Sequence, residues 1–99
     1  DAPLEIDVTT AAQLLGAGAL LIDVREPAEV ATCAVAGCRH IPMRQIPENV
    51  ATLPRDQAIL VLCHHGGRSL RVAQFLRANG FAQTSNVAGG IDAWAEQID

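Results

Sequence analysis

The sequence contains no lysine: all seven of its basic residues are arginines. Against eleven acidic residues they leave a formal net charge of −4, with no basic stripe along the chain. Aromatic residues make up only 3%, too few to interleave with cations as base-stacking platforms. Nucleic acid is therefore excluded as the main partner. No apolar run approaches the roughly 20 residues a membrane-spanning helix needs, so no membrane role is expected. Internal repeats, low-complexity tracts and linkers are absent too. No secretory signal is visible, although the sequence opens at Asp1 and not at methionine, which leaves room for a removed leader. Three cysteines is an odd number, in contexts unlike a stapled secreted scaffold, and points to a reducing compartment, with a cytoplasmic location as the expectation. What is present is 99 residues that are 49% apolar, enough for one domain spanning 1–99 around a single core.

Short apolar runs alternate with helical patterns along the whole chain. Leu4–Val8 alternates apolar and polar residues as a short strand would, with Thr9 or Thr10 as an N-cap and a brief helix from Ala11 to Leu15. Ala19–Glu26 reads as a buried strand ending in charged residues. Pro27 opens a short helix to Thr32, and Val35–Pro42 is a loop entering a short strand. Ile46, Val50 and Leu53 space an amphipathic helix over Met43–Leu53, interrupted near Pro47. Ala58–Cys63 is a core strand, Leu70–Asn79 a helix, Ser85–Val87 a strand and Ile91–Ile98 a last helix anchored by Trp94. The alternation predicts an α/β fold whose central parallel sheet, of about five strands, carries helices on both faces.

The segment Cys63-His64-His65-Gly66-Gly67-Arg68-Ser69 concentrates the chemistry. It places a cysteine at a strand's carboxyl end, two glycines free to turn, and an arginine and a serine at a helix start. Consecutive backbone N–H groups in such a turn converge on one point, and the helix start adds positive potential. A thiolate there is stabilised, and the thiolate is the nucleophilic form. Asp23 and Arg25 end the other buried strand. They are candidates either for facing the same crevice or for pairing with each other to fix a loop.

Taken together, these pieces resemble the single-domain rhodanese family, the sulfurtransferase-type domains. The matching stretches are Leu21-Ile-Asp-Val-Arg-Glu26, Gly37 with Ile41-Pro42, Val61-Leu-Cys-His-His-Gly-Gly-Arg-Ser69, Gly80-Phe81 and Asn86-Val-Ala-Gly-Gly-Ile-Asp-Ala-Trp94. The resemblance implies that Cys63 is the nucleophile and carries a persulfide. It implies that the backbone of His64, His65, Gly66, Gly67, Arg68 and Ser69 cradles the substrate, with Arg68 as the matching cation; a supporting place for Asp23 and Arg25 is expected from their strand-end position alone. A small-molecule sulfur donor such as thiosulfate and a thiophilic acceptor (cyanide, a thiol or a protein sulfur carrier) would be the partners, with no cofactor. Phosphatases of the same fold have one more residue between cysteine and arginine, because phosphate needs a wider cradle. Four residues stand between Cys63 and Arg68 here, the sulfurtransferase length. The sequence departs from the family at Cys33-Ala-Val35, where Gly-His-Ile often precedes the Gly37 loop; that position bears on local packing. A regulatory module that only docks onto a partner is the alternative of a different class.

Two lesser groups complete the inventory. Cys33 and Cys38 form a resolving pair, a disulfide or plain loop packing. A zinc site built from them with His40, His64 and His65 is disfavoured. The ligands lack a paired short spacing, and metal on Cys63 would quench the nucleophile, so no metal is expected.

Overall fold

The computed structural model describes residues 2–32 and 35–98. In chain order the elements are β1 (Glu5–Ile6), α1 (Val8–Gly16), β2 (Leu20–Asp23), α2 (Pro27–Thr32), β3 (Arg39–His40) and α3 (Ile46–Asn49). They continue with β4 (Ile59–Leu62), α4 (Gly67–Ala78), β5 (Thr84–Val87) and α5 (Gly90–Gln97). Short 3-10 turns at Met43–Gln45 and Val50–Thr52 flank α3.

The five strands pair in the order β1-β5-β4-β2-β3, and every pairing is parallel. β4 holds the centre, buried along its whole length, as a strand covered on both faces must be. Side chains alternate across it. Ile59, Val61 and Cys63 point into a core shared with Ile46, Leu53, Val72, Ala73 and Leu76 from α3, α4 and the adjoining turns. Leu60 and Leu62 point to the other face, where Val8 and Ala11 of α1 pack with Ile91 and Trp94 of α5. The fold is thus α/β with helices on both faces of a parallel sheet, as the alternating pattern predicts. β4 leads through α4 to β5 on one side, whereas β2 leads through α2 to β3 on the other. The chain changes direction between β4 and β2, and an open crevice at the carboxyl ends of the strands is the usual consequence.

Several boundaries differ from expectation. Asp7, not Thr9 or Thr10, caps α1: its Oδ1 accepts the Thr10 N–H at 2.8 Å, so β1 ends at Ile6 and Val8 turns inward within the helix. The segment Met43–Leu53 is not one helix but two 3-10 turns around a single α-turn. Pro47 removes a backbone donor there, and the buried Ile46 and Leu53 hold the segment against the sheet by packing. α4 starts at Gly67 instead of Leu70, with Gly66 as its cap at φ 111°. That earlier start draws Arg68 and Ser69 into the first helical turn. Cys33 lies outside the described residues, as does most of the Cys33-Ala-Val35 departure. Cys38 is a free, half-buried thiol that packs against the α1–α5 face, and burial pushes its pKa up.

Candidate active site

Cys63 follows β4 directly, and its side chain is almost wholly inside, 1% exposed. The turn after it curls back over the sulfur. Gly66 N–H donates to Sγ at 3.1 Å, Ser69 N–H at 3.4 Å and the Ser69 hydroxyl at 3.2 Å. Burial is the largest single influence on this thiol and pushes its pKa up. The hydrogen bonds from the Ser69 hydroxyl and from the Ser69, Gly66 and Arg68 backbone N–H groups together outweigh it, and hold the thiol below its ordinary value. The donors are the turn and first helical residues after Cys63.

The turn is held from below by α5. Ile91 N–H donates to the Cys63 carbonyl at 2.8 Å and Asp92 N–H to the His64 carbonyl at 3.3 Å. So close an approach requires Gly90, at φ 60°, where an added Cβ would lie 2.4 Å from both carbonyl oxygens. On β5, Asn86 donates through Nδ2 to the Gly66 carbonyl at 3.1 Å and to Glu5 Oε1 at 2.9 Å, and its Oδ1 accepts from the Ser69 hydroxyl. Gly90 and Asn86 both fell inside a stretch recognised from the sequence, yet neither was singled out. Nothing in a linear sequence shows that residues 23 and 27 positions beyond the cysteine lie against its loop.

The Arg68 head group, at the start of α4, is held from α2. The guanidinium grips Glu29 of α2 with two parallel bonds, Nη1 to Oε1 at 2.7 Å and Nη2 to Oε2 at 2.8 Å. That hydrogen bond, with a further one from the Glu26 backbone, holds the Glu29 carboxyl at about 2. Glu29 is thus brought beside the active turn from α2, 39 positions away from Arg68 in the chain. Arg68 gives Cys63 its backbone N–H, and its guanidinium also interacts with the Cys63 charge through space.

Asp23 and Arg25 take the loop-fixing alternative. Both are buried, and Arg25 meets the carboxylate with Nε and Nη2 at 2.8 to 3.1 Å. Asp23 also accepts the Arg25 N–H, while the Arg25 carbonyl bonds His40 Nε2 at 2.7 Å. Arg25 Nη1 reaches the Glu29 carbonyl at 3.4 Å, so the pair sets α2, and α2 sets Glu29 beneath Arg68. The pair is thus linked to Arg68 through α2 and Glu29.

His64 and His65 stand at the exposed rim with rings stacked 4.0 Å apart, each bonded at 2.9 Å to a different oxygen of Asp92. Among the described residues these three form the group able to offer a metal ion three ligand atoms, all within 4.8 Å of one another. His40 stands apart on β3. Among the described residues no helix is long and apolar enough to cross a membrane.

A buried thiol at the carboxyl edge of a parallel sheet, ringed by backbone donors, has the make-up that nucleophilic catalysis by a cysteine requires. The chain belongs to the Rhodanese-like domain family, whose model matches residues 7–97. It is 34% identical over 93 residues to a sulfurtransferase of Allochromatium vinosum, covering 92% of this chain and 87% of that one. It is 32% identical to the thiosulfate sulfurtransferase GlpE of Stutzerimonas stutzeri over 79% of this chain and 72% of that protein. The crystal structure of a rhodanese-related protein from Thermoplasma volcanium superposes with a TM-score of 0.88 at 31% identity, covering 97% of this chain and 94% of that one.

Proposed function

We propose that this protein is a sulfurtransferase that moves sulfane sulfur from thiosulfate or a persulfide donor to a thiophilic acceptor through a persulfide on Cys63. The observation that carries this reading is the Cys63 thiol, held low by Gly66 and Ser69 donors in a turn that leaves four residues before Arg68. The Cys63 thiolate attacks the outer sulfur of thiosulfate. An S–S bond forms to Sγ, the bond to the sulfonate sulfur breaks, and sulfite leaves with the electron pair. The acceptor, whether cyanide, a small thiol or a protein sulfur carrier, then attacks the outer persulfide sulfur, and the Cys63 thiolate is the leaving group.

The same donors serve both steps. Negative charge sits on Sγ before the first and after the second, and on the outer sulfur between them. The N–H groups of the turn need little reorganisation for either position, which is the advantage of a preformed cradle. The ordinary acceptor assay is thiocyanate formation from cyanide, and double displacement predicts ping-pong kinetics. Relatives that are named sulfurtransferases support this reading.

The test is intact mass after mixing reduced protein with thiosulfate. A gain of about 32 Da, lost on adding cyanide and absent in Cys63→Ser, is the expected result. The Cys63→Ser variant should stay folded, because the replacement is nearly isosteric. Sulfur uptake by folded Cys63→Ser, or hydrolysis of an aryl phosphate in place of sulfur uptake, would overturn it.

A further inference from the structure

Asn86 is fully buried on β5, behind the active turn. Its amide has a single consistent orientation. Nδ2 donates to a backbone carbonyl, Gly66 O, and to a carboxylate oxygen of Glu5, and neither can donate in return. Oδ1 must therefore face Ser69 Oγ, with which it is in close hydrogen-bond contact. Being acceptor-only, Oδ1 requires the single hydroxyl proton of Ser69. Cys63 Sγ, 3.2 Å from the same Oγ, requires that proton too whenever it is a thiolate.

We infer that Asn86 is a positioning residue that gives the Ser69 hydroxyl a second setting, and so governs the charge state of Cys63. With Cys63 as a thiol, S–H donates to Ser69 Oγ, and Oγ–H donates to Asn86 Oδ1; every group is satisfied. On ionisation the S–H bond breaks and the proton leaves to solvent. Oγ–H then rotates to the thiolate, and Asn86 Oδ1 loses its donor. Nothing is oxidised or reduced. A buried amide oxygen without a donor is unfavourable, so Asn86 works against the thiolate. In the persulfide, on which the proposed function rests, charge has moved to the outer sulfur and Sγ is a weak acceptor. The hydroxyl then returns to Asn86. Ser69 thus follows the charge, and Asn86 favours the thiol and the sulfur-loaded state over the bare thiolate. Because Nδ2 also holds the Gly66 carbonyl, one side chain on β5 governs two of the groups that ligate Sγ.

The charged and titratable groups around the turn are His64 and His65 within it, Asp92 of α5, Arg68 with Glu29 of α2 and Glu26 just before it, Glu5 of β1, and the Asp23–Arg25 pair at the end of β2. None is replaced in the test. Alkylation of Cys63 by iodoacetamide is followed across pH in the wild type, Ser69→Ala, Asn86→Leu and the double variant. Ser69→Ala slows alkylation at neutral pH. Asn86→Leu alters the Gly66 contact in either background, so the comparison is its effect with and without Ser69. The effect should be more favourable to alkylation, by about threefold, when Ser69 is present. An equal effect in both backgrounds reduces Asn86 to a clamp on Gly66 and overturns the inference.

Should Asn86→Leu fail to fold, the side-chain carbonyl carbon of Asn86 gives an independent readout. In the wild type its NMR shift should move with pH in step with Cys63 alkylation, and the movement should be lost in Ser69→Ala. Movement of equal size in both proteins, or none in the wild type, overturns the inference. No sulfur donor enters either experiment, so its failure is distinct from failure of persulfide formation.

Discussion

Replacing Gly90 by alanine should damage the active turn from beneath. Gly90 has φ 60°, and holding alanine in the left-handed region costs about 1–2 kcal/mol. The added Cβ would lie 2.4 Å from the carbonyl oxygens of Cys63 and His64, which are backbone atoms unable to swing aside. Relief requires α5 and the turn to separate, weakening the bonds from Ile91 N–H and Asp92 N–H to those carbonyls, each a contribution of about 1 kcal/mol. The sum is a destabilisation of about 3–4 kcal/mol. Urea unfolding is readily followed at Trp94, the sole tryptophan in a chain without tyrosine, buried on α5 itself. Alkylation of Cys63 should slow in parallel, since the donors to Sγ move with the turn. Gly16→Ala is the control. That glycine ends α1, with nothing within 4 Å of an added Cβ, so alanine there should be neutral or stabilise by up to about 1 kcal/mol. Wild-type stability and an unchanged alkylation rate in Gly90→Ala would refute the close packing of α5 on the turn.

The Glu29–Arg68 pair predicts an acid limb. Glu29 falls from an ordinary 4.5 to about 2, so its contribution to stability is complete above pH 4.5 and is lost as pH falls toward 2. Both partners are partly exposed, so solvent screening leaves about 1 kcal/mol, and the stability–pH curve of Glu29→Gln should be flatter over that window. An identical curve would show that the pair carries no stability. Arg25→Ala leaves the buried Asp23 carboxylate without its counter-ion and should cost about 3 kcal/mol or more in urea unfolding; a loss under about 1 kcal/mol would contradict the pairing. Thr84→Val, by contrast, should stabilise by about 1 kcal/mol, because Thr84 Oγ1 is buried with no hydrogen-bond partner among the described residues. Destabilisation there would point to a partner for the hydroxyl.

Much of the site could be read along the chain because it is local. Cys63, the glycine pair, Arg68 and Ser69 lie within seven consecutive residues, and a strand, a turn and a helix start place their N–H groups by backbone geometry alone. The parallel sheet was equally legible, since all-apolar runs such as Ile59–Leu62 occur where both faces are covered. Met43–Leu53 was misjudged because its apolar spacing reports which side is buried, not whether each turn closes as α or 3-10 around Pro47. The α1 start was misjudged because Asp7, Thr9 and Thr10 are all competent caps, and only the inward turn of Val8 chooses among them.

Local sequence carried the cysteine proposed as nucleophile, the length of its turn, the parallel α/β class and the family resemblance, because each lies in neighbouring residues or in a periodic pattern. Tertiary structure alone decided which distant groups meet them. Glu29 takes the head group of Arg68, 39 positions away; Gly90 admits α5 beneath the turn; and Asn86 meets Ser69 across 17 positions. Such contacts follow from the strand order β1-β5-β4-β2-β3, which sets β5 and β2 on either side of β4, and no local propensity encodes that order.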